Sequence, residues 1–220
     1  MSAQPTCEYC AGSPPPLGPL STADWNRLKA ALEGGSFALA AGEARLAFSC
    51  GEAEAIAWLE HLLACPRSWV FSARETRALD RIDRAFAEVA KPAHFTEFDH
   101  CDECQEHDDV LRNNTRDTIS RKSFGTCGWS PIGFCSPAGL RYYFPALARY
   151  ALLPNMLHCH GLTDMFLSAI GPERQGKPLA ELCSAAQRSA VVAYLDCMPE
   201  FAEVEAPLRD ARNLWRLSLA

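Results

Sequence analysis

His100, Cys101, Cys104 and His107 fall within eight residues of one another, and all are side chains that bind transition metals or carry thiol chemistry. Thiolate and imidazole ligands suit zinc. A structural zinc ion is four-coordinate and tetrahedral, with Cys sulfur at about 2.3 Å and His nitrogen at about 2.0 Å, so its ligands must converge within about 4 Å of one another. Cys101 and Cys104, three apart, meet that condition as a CxxC turn or on the first turn of a helix. On a continuous helix, His100 and His107 stand about 10.5 Å apart along the axis. Both histidines therefore cannot join the cysteines on one ion unless the backbone is irregular there. The missing ligands point to the other CxxC of the chain, Cys7-Glu8-Tyr9-Cys10, which runs into Ala11-Gly12 in the manner of a zinc knuckle. The expected centre is a zinc site of Cys7, Cys10, Cys101 and Cys104, with His100 and His107 as substitute ligands.

Other chemistries compete for the same residues. A CxxC at a helix N-terminus has its thiolate stabilised by the helix dipole, which is the basis of dithiol redox sites. Against that, Asp99, Asp102, Glu103 and Glu106 should raise a neighbouring thiol pKa, and no βαβ pattern surrounds the motif. His158-Cys159-His160 is a second cluster: in an extended loop residues i and i+2 point the same way, so both imidazoles can meet a metal or a substrate. A Cys–His hydrolase would pair Cys135 with one of these histidines and orient it with Asp164. No local signature supports Cys135 as a nucleophile, and glycine-rich phosphate loops, HExxH and GxSxG are absent.

The elements that must position these groups read as helices. Ser21-Thr22-Ala23-Asp24, Ser72-Ala73-Arg74-Glu75 and Ser184-Ala185-Ala186-Gln187 have capping-box form, a Ser/Thr followed three residues later by an acid or amide. The second opens the cleanest amphipathic run, with Leu79, Ile82, Phe86 and Val89 at helical spacing. Further helices are expected over 52–64, 102–112, from Ser136-Pro137 through Tyr150, through Phe166 and Leu167, and over Val204 to Trp215. Pro145 should bend or split the one it interrupts. Phe37-Ala38-Leu39-Ala40 and Ala44-Arg45-Leu46-Ala47-Phe48, around Ala41-Gly42-Glu43, read as a short β-hairpin. The expectation is a mainly α protein of seven or eight helices and two to four short strands. It is organised as a Cys-containing, Pro-rich tail (1–20) pinned by metal onto a single mostly helical domain (21–220).

The chain has 220 residues, 48% hydrophobic and 22% charged, an ordinary globular composition. A net charge of −6 with no basic stripe argues against nucleic acid as a partner. No apolar run approaches the roughly 18 to 20 residues of a membrane span, and the N-terminus has no signal-peptide form. A cytoplasmic location follows as an expectation, without a membrane partner. In a reducing compartment the eleven cysteines are thiols or metal ligands before they are disulfides. Cys50, Cys65, Cys183 and Cys197 lie in or beside apolar helical patterns, where Cys acts as a small hydrophobe.

Phe134 to Leu152, FCSPAGLRYYFPALARYAL, resembles the "serine/threonine-Pro-x-Gly-aromatic-Arg-Tyr-Tyr-x-Pro-Ala" signature of an uncharacterised bacterial family, a domain of unknown function. Ala185 to Leu195, AAQRSAVVAYL, is similar to its later Gln-anchored helix, and Glu103-Cys104 to its acidic Glu-Cys element. The resemblance spans about residues 75 to 200. It implies a fold class and no activity, cofactor or catalytic residue. The reading reached from sequence is a cytosolic binding or regulatory protein with a structural zinc site, of immunity or accessory type, whose partner is another protein. The alternative is a metal- or cysteine-dependent hydrolase built on the clusters at 100–107 or 158–160.

Overall fold

In a computed structural model of the chain, the described residues are 22–33, 36–64, 71–125, 129–153, 162–198 and 205–219. They form ten α-helices and two 3₁₀ turns, with no β-strand among them. The N-terminal tail with Cys7 and Cys10, the first capping serine Ser21, Cys65, and His158-Cys159-His160 lie outside the described residues.

Two compact units emerge. The first contains α1 (Thr22–Glu33), α2 (Phe37–Phe48) and α3 (Glu52–Ala64). The expected hairpin is not seen, because its residues are α2. Alanine, the best helix former, dominates the segment and no β-branched residue occurs in it. Ser36 caps the start by accepting from the Leu39 amide at 3.2 Å. The supposed turn at Ala41-Gly42-Glu43 sits mid-helix, and Ala40 and Ala44, one turn apart, are both buried. Arg27 pairs with Glu43 at 3.0 Å to tie α1 to α2, while Phe48 packs edge-on to Trp58 of α3.

The second unit contains α4 (Ala73–Phe86), α5 (Asp102–Arg112), α6 (Pro137–Ala151), α7 (Leu162–Ile170), α8 (Gly176–Leu182), α9 (Ala185–Cys197) and α10 (Glu205–Leu217). The capping boxes at Ser72 and Ser184 close as read from the sequence. Helix α4 stops at Phe86, short of Val89, and α8 was not anticipated. Helix α6 is the central element and runs unbroken through Pro145. Its Phe144 is fully buried, stacked on Phe86 of α4 at 4.9 Å and edge-on to Phe166 of α7 at 5.3 Å, with Tyr194 and Trp215 beyond. Buried aromatics with polar atoms need partners. Tyr194 donates to the Ala148 carbonyl at 2.9 Å and Trp215 to that of Ile170 at 3.0 Å.

The signature residues acquire physical roles here. Ser136 caps α6 and Pro137 fills its first turn. Arg141 donates twice to Gln187 Oε1, at 3.2 and 3.1 Å. Gln187 in turn donates to the Ala85 carbonyl at 3.1 Å, so one buried amide locks α6, α9 and α4 together. The Tyr143 hydroxyl donates to the Leu111 carbonyl at 2.6 Å and so holds the end of α5 on α6.

Candidate metal centre

Helix α5 opens on Cys101, whose backbone is extended, and residues 93–100 ahead of it are irregular. That irregularity decides which histidine joins the cysteines. His100 precedes the helix and turns back over its first turn. His100, Cys101 and Cys104 each offer a ligand atom, and these atoms all lie within 4.8 Å of one another. The two sulfurs are 3.4 Å apart, and His100 Nδ1 is 3.8 Å from Cys104 Sγ. A tetrahedral zinc with the usual bond lengths has S···S edges of about 3.8 Å and S···N edges of about 3.5 Å. Both distances are within about 0.4 Å of that figure. This group can hold a metal ion. His100 and Cys101 are exposed while Cys104 is buried, so one side of the group faces solvent.

The protonation pattern is unequal. No side-chain cap bond closes at Cys101, but the Cys104 amide N–H faces its sulfur. That amide, then His100, then the Cys104 thiol hold the Cys101 thiol below its ordinary range. Cys104, hydrogen-bonded with Cys101 and shielded from water, is pushed up to about 11. His100 is raised, chiefly by its hydrogen bond with Cys101. The acidic neighbours expected to raise a thiol pKa contribute at Cys104, through Glu103, while direct hydrogen bonds set the direction at Cys101. Helices α2, α4, α6 and α9 start on serines whose side chains accept a cap bond, and α5 forgoes one to place a sulfur there. That choice costs about 1 kcal/mol of helix stability.

His107 is not part of the group. It lies inside α5, 1% exposed, packed against Phe134 at 4.5 Å and Trp129 at 4.9 Å. Its Nε2 is buried, has no hydrogen-bond partner among the described residues, and lies 3.8 Å from Glu103. Burial lowers its pKa, which Glu103 only partly offsets. Cys135 is likewise buried, and desolvation pushes its thiol far up, the opposite of what a nucleophile needs.

One residue that sequence reasoning missed organises the site. Asp108 is buried in α5 and accepts from the Phe95 amide at 2.5 Å, the Thr96 amide at 3.1 Å and His94 Nδ1 at 2.8 Å. Thr96 Oγ1 donates back to the Cys104 carbonyl at 2.8 Å. Phe95 is fully buried against Tyr142 and Tyr143 of α6. The segment that delivers His100 and Cys101 is thus clamped between α5 and α6. Gly139 makes the clamp possible, since a Cβ there would sit 2.8 Å from the Phe95 carbonyl and 2.6 Å from Cys135 Sγ. The signal for Asp108 was present: Cys104, His107, Asp108 and Leu111 recur at i, i+3, i+4 and i+7, and all four are buried. Among so many acidic residues, that face reads as solvated.

The family of unknown function DUF6714 matches residues 75–217, which contain the whole of this site. The chain belongs to that family. No curated protein matches it, and no solved structure does.

Proposed function

We propose that this member of the DUF6714 family holds a zinc ion on His100, Cys101 and Cys104 in a structural role, and acts as a cytosolic binding or regulatory protein. The observation that carries this reading is the convergence of the three ligand atoms within 4.8 Å. Two thiolates and an imidazole suit zinc better than the hard cations, which take oxygen ligands. The fourth ligand would come from the N-terminal tail, Cys7 or Cys10, closing the coordination sphere and anchoring the tail. A closed sphere leaves no position for substrate or water. The partner would be another protein. Phe98, 39% exposed, stacks on His94, and Trp129, 49% exposed, packs at a tilt against His107; the two offer aromatic contact area on the α5 side of the unit. The acidic chain disfavours nucleic acid. No helix among the described residues is long and apolar enough to cross a membrane.

A second reading is supported by the exposure of His100 and Cys101. With water in the fourth position, the same three ligands would make an open, catalytic zinc and a metal-dependent hydrolase.

Elemental analysis of four proteins separates these readings: the full chain, a form starting at Ser21, Cys104→Ser and His100→Ala. The structural reading expects about one zinc per full chain, a marked loss on truncation, and loss in both ligand variants. Zinc retained by the truncated form but not by Cys104→Ser would replace the closed site with the open one. If the full chain takes up no zinc, both readings fall.

A further inference from the structure

We infer that Cys101 and Cys104 are also a thiol–disulfide exchange pair, which low-molecular-weight disulfides close into a reversible intramolecular bond. The exchange half stands on the geometry of the pair and needs no metal. Its consequence for zinc release rests on the metal reading above.

The two sulfurs are already at contact, 3.4 Å apart. A disulfide needs about 2.05 Å, so closure asks for about 1.4 Å of sulfur movement. Residues three apart on a helical first turn have Cα atoms about 5 Å apart. That separation lies inside the window of about 4.4 to 6.8 Å that a disulfide spans without backbone movement. The accessibility of the two thiols sets the order of events. Cys101 is exposed at the mouth of the helix and Cys104 is buried behind it. Cys135 and Cys183 are buried elsewhere in the second unit.

Cys101 gives its proton to solvent and its sulfur attacks one sulfur of a small disulfide RS–SR, breaking that S–S bond and forming a mixed disulfide while RS⁻ leaves and is protonated by solvent. Cys104 loses its proton to solvent, and its sulfur attacks Cys101 Sγ. The mixed disulfide breaks and the second RS⁻ departs, to be protonated in turn. The protein dithiol has given up two electrons and two protons, and one RS–SR has become two RSH. Closing the bond consumes two of the three ligands at once, so an ion held there must leave.

The test uses the full chain and bis(2-hydroxyethyl) disulfide. Trypsin cuts after Arg84 and Arg112 and spares the Lys91–Pro92 bond, so Cys101 and Cys104 share one peptide, 85–112, with no other cysteine. After treatment of metal-free protein, alkylation and digestion, that peptide should have lost two hydrogens and carry no alkyl group, and dithiothreitol should restore it. Cys104→Ser should stop at the mixed disulfide on Cys101, and Cys101→Ser should leave Cys104 unmodified. A peptide that stays reduced, that keeps the mixed disulfide in the wild-type chain, or that links to another peptide overturns the inference. A second arm loads the chain with zinc and follows release with a chromogenic chelator. Release in step with disulfide formation supports the coupling, whereas oxidation with the ion retained refutes it. A chain that never takes up zinc defeats the metal reading alone, and the metal-free arm then decides the exchange pair.

Discussion

Replacing Asp108 tests the link between the fold and the site. Its side chain is 2% exposed and receives two backbone amides and His94. In Asp108→Ala the Phe95 and Thr96 amides lose their acceptor inside the protein. Each buried orphan costs about 1 to 3 kcal/mol, so the variant should lose about 4 kcal/mol. Asp108→Asn keeps one oxygen for both amides and lets His94 adopt the tautomer that accepts from the new NH₂. It loses only charge assistance, about 1 to 2 kcal/mol. Because those amides anchor the segment carrying His100 and Cys101, zinc affinity should fall about tenfold or more in Asp108→Ala, as when groups that orient ligands are removed. Urea unfolding gives the stability differences, and competition with a chromogenic chelator gives the affinities. The reasoning fails if Asp108→Ala unfolds within about 1 kcal/mol of the parent, since a buried two-amide anchor cannot be that cheap. Unchanged zinc affinity in a folded but destabilised Asp108→Ala would leave the anchor intact as a stability element and remove its role in positioning ligands.

Two further expectations concern the second unit. Phe144→Ala removes a fully buried ring from the point where α4, α6 and α7 meet, and should cost about 3 to 5 kcal/mol through the cavity left behind, lowering the melting temperature by about 10 °C; a melt that barely moves would mean the ring is not core. His107 has a folded-state pKa below its unfolded one because burial disfavours its charge. As pH falls through about 6.5 the unfolded chain takes up this proton first, so stability is highest above that pH and declines below it, by at most about 1.4 kcal/mol per pH unit for this group. His107→Phe keeps a ring between Trp129 and Phe134 and should flatten the acid side of the profile relative to the parent. An unchanged slope between pH 6.5 and 5 would rule His107 out as a source of acid sensitivity.

Much of the helical framework was legible because helix formation is written in local terms. The boxes at Ser72 and Ser184, the cap and proline at Ser136-Pro137, and the apolar spacing of α4 act over three or four residues and survive any tertiary context. Helix α2 escaped because short alternating Ala and Leu runs satisfy both periods, and alanine's helix preference together with burial of Ala40 and Ala44 settled it. At the site, the spacing of Cys101 and Cys104 by itself brought their sulfurs within reach of one ion. Which histidine joined them was a tertiary matter. The helical distance that separates His100 from His107 applies only if both lie on the helix, and His100 does not. The backbone leading to it is shaped by contacts remote in sequence: Asp108 with the Phe95 and Thr96 amides, and Phe95 against α6 where Gly139 leaves room. His107, on the regular part of α5, was carried by helical geometry under Trp129 and Phe134 instead. Residue types and spacing named the candidate ligands, and long-range packing of an irregular segment selected among them, because ligand convergence depends on backbone direction that no local pattern encodes.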